Sequence, residues 1–354
     1  MSGAATGGPL LRRRHWPRRL RQRRLVLRRR LGALLALAAL LPALAHAEWF
    51  RREDAIMGTR IYVELWLDDA AQGRAAIEAV ITSMHEVDEM MSTYKPQSPL
   101  SRVNARGALE PVAVDRELFD VIRASLEFSK LTGGAFDVTY ASVGYLYDFR
   151  ARQRPSEAQI AAALPGVNWR NVKLDPTALT VRFEKPGMRI DLGGIAKGYA
   201  VDRAIGLLRA RGVAHAVVSA GGDSRIIGDR FGRPWIVGIR HPDDPKRVVT
   251  RIPLVDTAMS TSGDYERYFD EQGVRYHHIL DPKTGRSASK VRSATILAPT
   301  AMQSDGLSKT AFVLGAEAAL QIIEKIPGVD AVFVTPEGKV LYTKGLEPGD
   351  ESPR

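Results

Sequence analysis

Along the chain the spacing of hydrophobic positions changes period several times, and each change marks an element. Between Arg51 and Leu67 apolar and polar residues alternate, most regularly at Ile61, Val63, Leu65 and Leu67, with Met57-Gly58-Thr59 interrupting the run. That period predicts a strand region. Helical spacing takes over from Asp69 to Met91 and stops at Ser92-Thr93-Tyr94, before a polar loop that holds Pro96, Pro99 and Ser101–Asn104. Asp115 is placed to cap a second helix running to about Leu131, and Gly133-Gly134 ends it. Ala135-Phe136-Asp137-Val138-Thr139 follows. Ser156–Leu164 predicts a short helix, and Asn171–Glu184 a hairpin turning at Asp175-Pro176-Thr177.

The second half repeats the mixture. Met188, Ile190 and Leu192 predict a short strand running into Gly193-Gly194. A helix follows from Ile195 to about Arg211, with Ile195, Tyr199, Ile205 and Leu208 on its apolar face and Gly212 as its stop. Further strands are predicted at Ala214–Ser219, Pro234–Arg240, Arg247–Leu254, Arg275–Leu280 and Val291–Leu297. Between them lie three polar punctuations: Gly221-Gly222-Asp223, Ser260–Asp264 and His278–Gly285. Gln303–Leu314 predicts a helix ending at Gly315, with a second helix to about Lys325. Val329–Thr335 and Lys339–Thr343 predict a closing hairpin around Pro336-Glu337-Gly338. Strands and helices mix without strict β-α-β alternation, so the fold class expected is α+β.

Charge alters the picture at one end only. The chain has 354 residues and a formal net charge of +11, which invites a nucleic-acid reading. Residues 1–47, however, hold eleven Arg and no acidic residue; without them 40 basic residues face 40 acidic ones. A neutral body argues against nucleic acid as a partner. The same 47 residues have the form of an export signal. A basic stretch Arg12–Arg30 precedes an apolar run Leu31–Leu44 and an Ala45-His46-Ala47 cleavage site. A retained membrane anchor is the alternative. The chain has no Cys, which excludes a lipoprotein anchor, disulfides and thiolate chemistry. The expectation is a signal peptide over 1–47, a mature chain over 48–354 and a periplasmic location, with association to the inner membrane left open.

Asp191–Asp202 is the first candidate for chemistry. A turn of two glycines into a helix N-terminus favours anions, and Lys197 adds a full charge in the first turn. The spacing matches neither common phosphate loop, and a tight turn with a surface Lys suits the same residues equally. Asp305 opens a predicted helix, where it suits either Mg²⁺ or an N-cap. His278, beside Asp281, is placed for general-base work or for a backbone hydrogen bond at a strand end. Tyr94 suits stacking on a flat ring or packing at a helix end, and Ser262-Gly263 suits a phosphate turn or an ordinary one.

Taken together and in order, these segments resemble the ApbE family of FAD:protein FMN transferases. The resemblance rests on Met57-Gly58-Thr59, Ser92-Thr93-Tyr94 with Ser101–Asn104, Phe136-Asp137, Asp191–Asp202, Gly221-Gly222-Asp223, Ser260–Tyr265, His278–Gly285 and Ser304–Gly315. It implies a T-fold-like α+β architecture with a central FAD cleft. It also implies Mg²⁺-dependent transfer of FMN from FAD to a Thr or Ser hydroxyl of a target protein, with release of AMP. By the resemblance Met57, Tyr94, Phe136, Asp137, Asp191, Lys197 and Ile279 would line the FAD site. Thr261, Ser262 and Gly263 would lie near the diphosphate or the flavin ring. His278 and Asp305 would be catalytic, and the Gly194 carbonyl and Asp305 would hold the metal. The partner implied is a flavin-accepting subunit of a membrane electron-transport complex. FAD hydrolysis to FMN and AMP, and non-catalytic FAD binding or delivery, are the alternatives. One position departs from the family pattern: Lys309 stands four residues after Asp305, where a Thr ligand is usual, and Thr310 follows it. Positions i and i+4 share a helix face and i+5 does not. The expectation is that Lys309 either pairs with Asp305, partly replacing the metal, or swings out and leaves a water in the ligand position.

Overall fold

The frame of the molecule is an antiparallel sheet whose eight strands lie side by side in chain order. They are β1 (Glu48–Ile56), β2 (Thr59–Leu67), β3 (Ala216–Ala220), β4 (Asp223–Ile227), β5 (Ala258–Gly263), β6 (Ser293–Ala298), β7 (Asp330–Val334) and β8 (Val340–Tyr342). The computed structural model describes residues 48–346 except Pro245; the signal-segment expectation for 1–47 falls outside them. β1 and β2 join through a two-residue turn in which Met57 and Gly58 both take positive φ, 56° and 66°. Such a turn matches the right-handed twist of its strands.

Everything else is inserted between neighbouring strands. Residues 68–215 separate β2 from β3 and carry α1 (Ala70–Met91), α2 (Pro99–Arg106), α3 (Arg116–Leu131), a three-stranded sheet and α4 (Ala196–Ala210). A hairpin of Trp235–Arg240 with Val248–Leu254 separates β4 from β5. Two small hairpins, around Tyr268–His277 and Leu280–Ser287, separate β5 from β6. The β6–β7 crossing holds α5 (Ala301–Leu307), α6 (Thr310–Leu314) and α7 (Ala316–Ile323).

The strand period sorts the sheet's two faces. Ile61, Val63, Leu65, Ala216, Val218 and Ala220 pack with α1 and α4 in the largest core cluster. Ala294, Ile296, Ala331 and Phe333 pack with α6 and α7 in a second. On the opposite face Ile226, Met259 and Leu297 meet Trp235 and Leu254 of the inserted hairpin. Strand registers put Asp223 and Ser260 opposite each other on the helix face, between the two helix-side clusters. A polar seam therefore crosses the middle of an otherwise apolar face.

Several expected elements change. Ser101–Asn104 lies in α2, because Ser98 caps that helix (its Oγ accepts from Ser101 N at 3.0 Å) and Pro99 fits the first turn. Asp115 holds the N-cap position of α3 but makes no side-chain cap bond. Met188, Ile190 and Leu192 are buried, but the segment is not a strand. The Asn104 side chain takes both backbone groups of Ile190, at 2.8 and 2.9 Å, in place of a neighbouring strand. Ser260–Gly263 is a central strand rather than a turn. The helix expected over Gln303–Leu314 breaks at Ser308 and Lys309. Ser308 Oγ (2.8 Å) and Lys309 Nζ (2.9 Å) both donate to the Asp305 carbonyl that a continuous helix would use.

Candidate active site

The seam is built from two carboxylates and two ammonium groups. Asp223 opens β4 and Asp305 sits in α5, whereas Lys197 comes from the first turn of α4 and Lys309 from the start of α6. Lys197 pairs with Asp223 Oδ2 and reaches Asp305 Oδ2 at 3.4 Å. Lys309 pairs with Asp305 Oδ1. Gly198 N donates to Asp305 Oδ2 at 3.1 Å, so the anion held at the N-terminus of α4 is this carboxylate. Asp305 is 0% exposed, whereas the side chains of Lys197 and Lys309 keep 21% and 17% of their surface. The two lysine side chains thus lie between the carboxylate and solvent.

Electrostatics follow the geometry. Burial pushes the Asp305 carboxyl up, but Lys197 and Lys309 outweigh it and hold the group below the usual range. Burial opposes the charge on Lys197, and the carboxylates of Asp223 and Asp305 outweigh that and raise its pKa. Burial and the Asp305 charge raise Asp223. Helices α4 and α5 cross closely enough to make these contacts because residue 198 is Gly. A Cβ there would fall 2.2 Å from the Ala301 carbonyl oxygen. Asp202 fastens the same crossing: its carboxylate accepts from Ala301 N (2.9 Å), Met302 N (2.8 Å) and Arg225 (2.6 Å).

The second wall is the turn at Asp191. Its Oδ2 accepts from Thr93 Oγ1 at 2.9 Å, and its Oδ1 from Gly193 N at 2.7 Å and Tyr140 OH at 3.3 Å. Next to Thr93, Tyr94 is 87% exposed and so is not packed at the helix end. Gly194 connects the walls, since a Cβ there would lie 3.2 Å from the Phe136 ring and 3.7 Å from Lys309 Cε. Met57 packs against the largest core cluster in a left-handed conformation that a side chain rarely adopts, and the Gly58 carbonyl accepts from Arg267 at 3.3 Å.

His278 faces the same group. Its amide donates to the Arg267 carbonyl at 3.1 Å, and its Nδ1 is buried with no hydrogen-bond partner. Burial, and then the charges of His277, Arg267 and Lys309, push its pKa down to about 3. The ring is neutral at ordinary pH, which suits it better to accept a hydrogen bond than to hold a proton.

Other expected residues lie elsewhere. Thr261 points to the opposite sheet face, where its Oγ1 meets Thr295 Oγ1 at 2.9 Å. Ser262 faces the helices, but its hydroxyl is engaged with Ser308 at 2.8 Å. Gly263 is roofed by the Tyr265 ring, 2.4 Å from where a Cβ would be. The Ile279 side chain belongs to the second core cluster. Asp137 uses both oxygens on framework, accepting from Thr139 N (2.8 Å) and Trp169 N (3.0 Å), and burial raises its pKa. Two cavities, of about 250 and 260 Å³, are lined respectively by Arg60, Tyr62, Ser219 and Gly221 and by residues around Tyr147, Arg154 and Arg275. Neither involves the two walls.

Sequence reasoning left Asp223, Tyr140, Arg267, Ser304 and Ser308 without roles. Ser304 and Ser308 carried a signal, since at i and i+4 they match Ser260 and Ser262 at i and i+2 of a strand, two rises of similar length.

The donor set does not fit Mg²⁺ in the way the resemblance implies. Mg²⁺ requires several oxygens in octahedral array. Both Asp305 oxygens are already taken by ammonium and amide donors, and the Lys309 chain runs between Gly194 and Asp305. Thr310 Oγ1 is buried and bonds to nothing. Among the described residues no three His, Cys, Asp or Glu gather into a metal-binding group.

Known proteins share this architecture. The FAD:protein FMN transferase of Treponema pallidum is 33% identical, over 85% of this chain and 89% of its own. The structure of the ApbE protein of Thermotoga maritima superposes with a TM-score of 0.77 at 35% identity, covering 84% of this chain and 98% of that one. That of the flavin transferase ApbE from Vibrio cholerae gives 0.76 at 30%, covering 85% and 99%. The model of the ApbE family matches residues 57–333, which take in β2 to β6 and most of β7, the seam and the Asp191 turn, and the chain belongs to that family.

Proposed function

We propose that this chain transfers FMN from FAD to a hydroxyl of a target protein. The observation that carries the reading is the family match running unbroken through both walls. In the reaction a Thr or Ser oxygen of the acceptor bonds to the FMN phosphorus of FAD. The bond from that phosphorus to the bridging oxygen breaks, AMP leaves with the bridging oxygen, and the hydroxyl proton passes to the surroundings. The protein's task is positioning and charge. Lys197 and Lys309, whose side chains keep part of their surface, would offer positive charge to a diphosphate. Tyr94 offers a free ring face to the flavin or adenine. The unpartnered Nδ1 of His278 would orient the attacking hydroxyl by accepting a hydrogen bond from it, without keeping its proton. Asp191, held by Thr93, Tyr140 and Gly193, keeps the turn into α4 in shape.

The arginine-rich start and apolar run before Ala45-His46-Ala47 support export to the periplasm, and the acceptor proposed from the family resemblance is a subunit of a membrane electron-transport complex. The test uses native membranes from a strain lacking the gene, incubated with FAD and the purified protein. A flavin-fluorescent band that survives denaturing electrophoresis, with AMP in equal amount, is expected. Free FMN with AMP and no band would make the protein a hydrolase; intact FAD would make it a binder.

A further inference from the structure

We propose that Lys309 is the resident cation of the seam: its ammonium group occupies the Asp305 carboxylate in place of a divalent metal, and transfer by this chain needs no metal. The proposal rests on the transferase reading above for its activity arm only.

Three observations carry it. Lys309 holds Asp305 twice, at the backbone carbonyl (2.9 Å) and at Oδ1, from a position fixed by the helix break itself. The remaining oxygen, Oδ2, takes Gly198 N at 3.1 Å and Lys197 at 3.4 Å, so both carboxylate oxygens are engaged and neither is exposed. Most of the exposed surface of the group belongs to the lysine side chains, while Asp305 has none. A metal arriving from solvent would meet two positive charges before any ligand, and binding would require Lys309 to leave its carboxylate beside a divalent ion. An ammonium has three donors. Lys309 uses two of its donors on Asp305, and the third is free for a phosphate oxygen of the substrate. The cationic charge a metal would bring to the diphosphate is then carried by a side chain.

The experiment pairs a binding readout with an activity readout. Mn²⁺ is titrated into metal-free wild-type protein, with and without FAD, and followed by electron paramagnetic resonance. The same is done for Lys309→Thr and Lys309→Met. AMP formation with native membranes is then measured in chelator and in Mg²⁺. Wild type is expected to leave the free-Mn²⁺ signal unchanged beyond what FAD alone binds, and to work equally well in chelator and in Mg²⁺. Lys309→Thr is expected to gain one Mn²⁺ per chain and to lose about 10²-fold in chelator, with recovery in Mg²⁺. Lys309→Met tests loss of the ammonium without a new ligand, and is expected to be slow in both conditions. One tightly held Mn²⁺ per wild-type chain, or wild-type transfer abolished by chelator, overturns the proposal, and neither result depends on a variant folding. If wild type cleaves no FAD under any condition while its Mn²⁺ titration is blank, the transferase reading fails and the assignment of Lys309 stands.

Discussion

The two walls of the site each centre on a carboxylate and stabilise it by opposite means. Asp191 is partly exposed and is held by a hydroxyl, a phenol and a backbone amide, all neutral. Asp305 is fully buried and is held by two ammonium groups and an amide. Neutral partners let a group sit at an edge and leave its neighbours free, as Tyr94 beside Thr93 is free. Charged partners allow deep burial, but only as a complete set, because any member left alone is an unpaired ion in a poorly solvated place. The open wall is thus suited to recognition and the seam to fixed charge.

The largest test of that difference removes one member from each wall. Asp305→Asn leaves two lysines facing a neutral amide and is expected to cost about 3–5 kcal/mol. Thr93→Val removes one neutral hydrogen bond from Asp191 and is expected to cost about 1 kcal/mol. Urea unfolding midpoints read both. Equal losses would mean that charge does not hold the seam.

The next test uses pH. His278 has a folded pKa of about 3, below its unfolded value of roughly 6.5. Its contribution to stability is present above pH 6.5 and is lost as pH falls toward 3, because the unfolded chain binds the extra proton. The slope is about 1.4 kcal/mol per pH unit for one proton, so about 2 kcal/mol is gone by pH 5. His277, lowered chiefly by burial, adds in the same direction. Unfolding at pH 7, 6 and 5 should show His278→Asn losing less than wild type. Parallel losses in the two proteins would place the titration elsewhere.

The smallest expected effect on stability is at Tyr94. Tyr94→Ala should move the unfolding free energy by no more than about 0.5 kcal/mol. The same change should weaken FAD binding by roughly 0.5–1.5 kcal/mol, the usual worth of a stacked ring. Isothermal titration with FAD reads the binding arm. A variant that loses stability and keeps its affinity would return Tyr94 to a structural part.

Much of the frame was legible in the sequence because it follows from period alone. Ile61, Val63 and Leu65 announce β2, and α1, α3 and α4 lie within a residue or two of where apolar spacing puts them. The pairing of Lys309 with Asp305 was one of two readings left open by the i, i+4 rule, and it holds even though the helix breaks between them. The failures share one cause. Where polar side chains substitute for backbone or apolar partners, pattern misleads. Ser260 and Ser262 look like turn residues but sit in the sheet, since Ser304 and Ser308 satisfy their hydroxyls. Met188–Leu192 looks like a strand but pairs with the Asn104 side chain. The partnership of Asp223 with Lys197 joins residues that share no element, and no local spacing encodes it.

Strand β4 shows what else the seam's charges do. Its sequence, Asp223-Ser224-Arg225-Ile226-Ile227, puts an isoleucine on each face of the sheet. Hydrophobicity therefore leaves the pairing of this strand underdetermined, and a slip of one residue would still bury an isoleucine on either side. It would also swing Asp223 away from Lys197, and Arg225 away from Asp202, into the company of Met259 and Leu297. Two ion pairs with a single helix thus work as an alignment key, rejecting the misthreaded sheet by the cost of stranding four charges at once.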